Sequence, residues 1–94
     1  MTPQYYDLGY LSRGETVVVS LSGSAAFVRL LDNDNLLRYK GGQQHHYCGG
    51  QATQSPVKLD VQYFGHWHVA IDFGEFNGIV KSSVQVVPYG AKPL

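Results

Sequence analysis

The sequence predicts an all-β protein, a small antiparallel β-sandwich (jelly-roll-like or barrel-like) of about seven strands with at most one short helical turn. Three observations carry that expectation. Eleven valines and seven tyrosines stand against five alanines and two glutamates, a usage suited to pleated, half-buried surfaces rather than to helices. Apolar residues recur at every second position in several segments, the period of a strand with one dry face. Glycine and proline, eleven and four of them, punctuate the chain at short intervals, as turns between strands require.

Taken in order, Tyr5–Leu11 is a candidate first strand. Thr16–Leu21 and Ala25–Asp32 follow, separated by Ser22-Gly23-Ser24 at hairpin distance. Their apolar content is nearly continuous (Val17, Val18, Val19; Phe27, Val28, Leu30, Leu31), which predicts central strands covered on both sides. Asn33 or Asp34 is then placed to cap a helical turn over Asn35–Lys40, the alternative being an irregular loop. Lys40 would sit at the negative end of its dipole and Gly41 would be the left-handed terminator. Gln43–Cys48 is a further candidate strand. In Val57–Tyr63, Val57, Leu59, Val61 and Tyr63 alternate with Lys58, Asp60 and Gln62. Next, Trp67, Val69, Ile71 and Phe73 line one face, with His66, His68, Ala70 and Asp72 on the other. Finally Val80, Val84 and Val86 share a face with Ser82, opposite Lys81, Ser83 and Gln85. Turns are expected at Arg13-Gly14, Gly41-Gly42, Gly49-Gly50, Ser55-Pro56, Gly65, Gly74 and Asn77-Gly78. The expected organisation is one domain over residues 1–94, with its core at about 5–87 and a tail at 88–94.

Composition narrows the function. Seven basic residues balance seven acidic ones and only 15% are charged. Such a chain lacks the basic footprint of a nucleic-acid binder and the cationic face of a membrane-surface helix. The single cysteine, Cys48, cannot form an intramolecular disulfide. With no signal-like start and no long apolar stretch, the expected location is the cytoplasm and no membrane or nucleic-acid partner is expected.

His66-Trp67-His68 is the triplet that invites chemistry, because residues i and i+2 of a strand share a face and two imidazoles at that spacing can share a metal ion. A third ligand is required: Asp72 lies too far along the strand, whereas His45, His46 or Cys48 can arrive from a neighbour. The plainer reading sets both histidines on the solvent face behind an inward Trp67. Asp32-Asn33-Asp34-Asn35 begins like a calcium loop, but Leu36 and Leu37 stand where a ligand and the turn glycine belong. Cys48 with His45 or His46 lacks a nucleophile signature, no phosphate-cradling glycine loop is present, and the two glutamates, Glu15 and Glu75, sit in turns. No catalytic residue and no cofactor are therefore expected, and the chain is expected not to be an enzyme. Among the aromatics, Tyr5, Tyr6, Tyr10, Tyr39 and Tyr47 lie outside the cleanest core strands. Tyr39, Tyr47, His66 and His68 are the candidate binding residues, with His66 and His68 also the candidate metal ligands.

Six phrases in order carry a family likeness: Tyr6-Asp7-Leu8-Gly9, Arg13-Gly14-Glu15-Thr16-Val17-Val18-Val19, Val28-Arg29-Leu30-Leu31-Asp32, Ser55-Pro56-Val57, Gly65-His66-Trp67-His68-Val69 and Val80-Lys81-Ser82-Ser83-Val84. Over roughly residues 5–87 the chain resembles the bacterial family called domain of unknown function 1883. The resemblance implies a compact all-β domain, found alone or joined to Toll/interleukin-receptor-type (TIR) signalling domains, and brings no catalytic residues with it. The expected function is a non-catalytic module binding a small ligand or a protein, of sensor or adaptor type. Two alternatives stand beside it: a metal site on the His66/His68 face with hydrolytic capacity, and a structural domain that self-associates as a homo-oligomer through its edge strands.

Overall fold

The structure is a computed structural model that describes residues 3–23, 25–73 and 81–90. Its elements run β1 (Gln4–Leu11), β2 (Thr16–Ser22), β3 (Ala26–Asp32), α1 (Asn33–Lys40), β4 (Cys48–Ala52), β5 (Val57–Asp60), β6 (Gly65–Asp72) and β7 (Lys81–Val87). Two antiparallel sheets form, one in the order β1-β6-β3-β4 and the other β5-β2-β7. Among the described residues, the all-β sandwich of seven strands with one short helix is thus as the sequence predicts. The expected turns at Gly74 and Asn77-Gly78, the positions Ser24, Glu75 and Val80, and tail residues 91–94 lie outside the described residues.

The two-residue period builds the core. Val17 and Val19 of β2 and Leu59 of β5 meet Ala26, Val28 and Leu30 of β3 and Trp67, Val69 and Ile71 of β6 in one buried cluster. Each valine, leucine or isoleucine side chain taken fully out of water contributes ~1.5–3 kcal/mol of transfer free energy. Val84 and Val86 close one side of it, half-buried. Ser82, the polar residue on their face, has a partner across the core: the Tyr6 hydroxyl donates to the Ser82 carbonyl at 3.1 Å and lies 2.5 Å from Ser82 Oγ. That pair ties an edge strand of one sheet to an edge strand of the other.

Strand β1 changes phase midway. Its register on β6 shifts between Asp7 and Gly9, a β-bulge at which Gly9 takes φ +71° and its N–H is accepted by Asp7 Oδ1 at 2.9 Å. Without the extra residue, Leu11 would share a face with exposed Tyr5 and Asp7. With it, Leu11 turns inward and Tyr10 outward.

Several local expectations are corrected. β2 and β3 do not form a hairpin: they belong to different sheets, so their apolar faces meet across the core rather than side by side. β3 is covered on both faces, but β2 is not, since Val18 is only half-buried and Ser20 is exposed. The strand expected at Gln43–Cys48 begins only at Cys48, and Gly49-Gly50 is strand rather than turn. β5 ends at Asp60, and Tyr63 leaves the buried face to stand 48% exposed. The helix starts two residues early because Asp32 caps it, accepting from the Asn35 N–H. It ends in a Schellman motif, with Gln43 N–H to Arg38 O at 2.8 Å and Gly42 N–H to Tyr39 O at 3.1 Å. The left-handed residue is therefore Gly42, at φ +70°, and Gly41 keeps φ −84°.

Candidate functional site

The chemistry-bearing residues gather on the outer face of the four-stranded sheet. Helix α1 is amphipathic enough to dock there: Leu36 packs on Leu31 of β3 and Ala70 of β6, with Tyr39 half-buried beside them. The N-terminal end of the helix meets His68 through Asn33, and its C-terminal end carries Tyr39 above Arg29.

His66 and His68 project from the face opposite Trp67, which is 4% exposed, as alternation predicts. Their rings stack with centroids 4.7 Å apart and planes 10° from parallel. Antiparallel pairing sets Asp7 of β1 directly across from His68, and Asp7 Oδ1 lies 2.6 Å from His66 Nε2. One ligand atom from each of Asp7, His66 and His68 falls within 4.8 Å of the others. Donors bound to a tetrahedral metal at 2.0–2.2 Å stand roughly 3.3 Å apart, a spacing bracketed by the 2.6 Å contact of Asp7 with His66 and the 4.8 Å limit of the trio. The electrostatics suit the same use. Hydrogen bonds from His66 and then from the Gly9 N–H hold the Asp7 carboxyl below its ordinary value of 3.8, and burial lowers His68. An ionised carboxylate and a neutral imidazole are the forms that ligate metals.

His68 departs from the open solvent face expected for it: it is part-buried, with Nε2 2.5 Å from Asn33 Oδ1. Asp72 is too far along β6, as expected, and accepts from the Tyr39 hydroxyl at 3.0 Å. His45, His46 and Cys48 do not reach the trio. The third member, Asp7, is not among the ligands that the sequence spacing predicts. Its Asp-Leu-Gly setting marks a local turn or bulge, but only the β1–β6 register places it beside the histidines.

Tyr39 and Tyr47 come together around a cation. The Arg29 guanidinium carbon lies 4.9 Å from the Tyr39 ring centre, 5.1 Å from Tyr47 and 5.7 Å from Phe27. Arg29 Nε and Nη1 are buried without a hydrogen-bond partner, so the aromatic faces supply their electrostatic counterpart. His45 fits between the tyrosines, 5.2 Å from Tyr39 and 5.4 Å from Tyr47. Burial, then the bond to Asp72, pushes the Tyr39 hydroxyl up to about 12. This group clasps residues 43–47 onto the sheet.

Beyond the clasp, Tyr47 also lines a pocket of about 160 Å³ with Tyr63, Trp67, Asp32 and Cys48. Trp67 Nε1 donates to the Tyr63 carbonyl at 3.1 Å, and the two rings lie 4.9 Å apart. The Tyr63 hydroxyl donates to Asp32 Oδ2, and both the Asn35 N–H and Nδ2 donate to Asp32 Oδ1 at 2.9 Å. Partial burial pushes the Asp32 carboxyl up, but the bonds from Tyr63 and Asn35 together outweigh it and leave it below 3.8. The bond to Asp32, then burial, raises Tyr63 to about 12. A carboxyl depressed in the folded state stabilises fully above its unfolded value and loses that contribution as pH falls through the folded value. Urea midpoints are thus expected to fall more steeply with acid below about pH 4 in the wild type than in Asp32→Asn. Parallel curves would show that the native bonds to this carboxylate do not favour its ionised form.

Fold and site together define a small antiparallel β-sandwich bearing a bulge-positioned Asp-His-His group and an aromatic pocket. The chain belongs to the family described as Domain of unknown function (DUF1883), whose model matches residues 1–90. Neither a curated protein nor a solved structure matches it. Among the described residues no helix is long and apolar enough to cross a membrane.

Proposed function

We propose that this chain is a non-catalytic binding module that holds a divalent transition-metal ion between Asp7, His66 and His68. The supporting observation is the convergence of these three donors from two paired strands. Two imidazoles and one carboxylate are a borderline donor set suited to zinc and its neighbours. Paired strands fix them more firmly than a loop would, and the Asn33 side-chain Oδ1 beside His68 is the kind of outer-sphere acceptor that orients a ligating ring. Cys48, the chain's one thiol, lines the separate pocket beside Trp67, so the trio is a nitrogen and oxygen donor set without thiolate.

The test is titration of metal-stripped protein with zinc and nickel salts, followed by elemental analysis after desalting. One equivalent is expected to remain on the wild type and none on the His66→Ala/His68→Ala double variant, with Asp7→Asn at least tenfold weaker. Metal at a hundred times its Kd should raise the unfolding free energy by about 2.7 kcal/mol. Equal retention by wild type and double variant would remove the proposal.

A further inference from the structure

We propose that the pocket between Tyr47, Tyr63 and Trp67 binds a small organic cation of the methylated-ammonium class. The site is distinct from the metal trio: it lies at the indole side of β6, whereas the histidines project from the other face. Its volume of about 160 Å³ is that of cavities which take one small organic molecule, and a tetra-substituted ammonium head is of that size.

Charge selects the occupant. Three aromatic rings of the two types that best attract cations line the space. The one carboxylate on its wall, Asp32, receives its hydrogen bonds from neutral groups, the Tyr63 hydroxyl and the Asn35 amides. Those bonds, made in part by the N-terminal turn of α1 that Asp32 caps, hold it ionised, and His46 on the same wall acts in the same direction. The pocket therefore sets three aromatic rings beside an ionised carboxylate in a mostly apolar cleft. An anion would be repelled, and a neutral apolar molecule would leave the carboxylate unused.

The bonding pattern also discriminates among cations. Asp32 Oδ1 already accepts two hydrogen bonds and Oδ2 one, so the site offers negative potential rather than a set of open acceptors. A primary ammonium brings three N–H donors that each need an acceptor. A fully methylated ammonium brings charge without donors and an apolar outer surface that matches the rings.

Trp67 is the chain's single tryptophan and lines the pocket, so its emission reports occupancy. Choline and tetramethylammonium are expected to change that emission saturably, with Kd on the order of 1 mM. The neutral carbon isostere of choline, 3,3-dimethyl-1-butanol, should bind at least tenfold more weakly to the same wild-type protein. Asp32→Asn, which keeps a side chain of equal capping ability, and Tyr47→Ala, at a residue 48% exposed, should each weaken choline binding about tenfold. Equal binding of choline and its isostere would overturn the proposal without involving any variant. So would unchanged affinity in Asp32→Asn, or no saturation by choline at about a hundredfold higher concentration than the expected Kd. Metal binding at the histidine face is unaffected by any of these results, so the two readings fail separately.

Discussion

Trp67→Ala is expected to lower the unfolding free energy by ~3–5 kcal/mol. The indole sits in β6, a strand paired on both sides, and reaches into the cluster that joins the two sheets. Truncation removes its buried area, opens a cavity bounded by strands that cannot collapse together, and takes away the Nε1–H bond to the Tyr63 carbonyl. Against a total of about 5–15 kcal/mol for a domain of this size, that is a fifth or more of the stability. One residue along, on the opposite face, His68→Ala should cost only about 1 kcal/mol, the net value of its contact with Asn33. Denaturant unfolding of the two variants side by side is the measurement, and comparable losses would mean that the inward and outward faces of β6 are wrongly assigned.

The second large effect is expected at Gly49. This glycine is strand, not turn, and a Cβ built on it would lie 2.1 Å from the Val28 carbonyl oxygen, with φ at +124°. Neither problem can be relieved by rotating a side chain, because the obstruction is backbone and the angle is the residue's own. Gly49→Ala should therefore destabilise by about 3 kcal/mol, at the upper end of what one strained residue costs. Gly50→Ala is the control, since its φ of +149° is also outside the range that side chains favour but no atom lies within 4 Å of the added carbon. A thermal midpoint for Gly49→Ala no lower than that of Gly50→Ala would show that β4 does not lie so close to β3.

What could be read in advance followed from local period. The inward set of β6, Val84 and Val86 of β7, and the paired placement of His66 and His68 needed only alternation, and they survive in the structure. The helix was legible in its polar start, Lys40 and the glycines that follow, although the cap lies further back at Asp32 because that carboxylate reaches the Asn35 N–H. Partnership between strands was not legible. Ser22-Gly23-Ser24 looks like a hairpin, yet β2 pairs with β5 and β7, because a run such as Val17-Val18-Val19 does not say which neighbour it will meet. The same gap hid Asp7 from the histidines and hid the convergence of Tyr39 and Tyr47 on Arg29. Those contacts are consequences of register between segments far apart in the chain.

That long-range pairing bears on the speed of assembly. Thr16 is bonded opposite Val87 and Gln4 opposite Ile71, so each sheet closes only after most of the polypeptide has been drawn into a loop. Folding is accordingly expected in milliseconds to seconds, the slow end for small domains. A nascent chain still lacking β7 would have to wait, with the valines of β2 unpaired along one edge, until the last strand is synthesised.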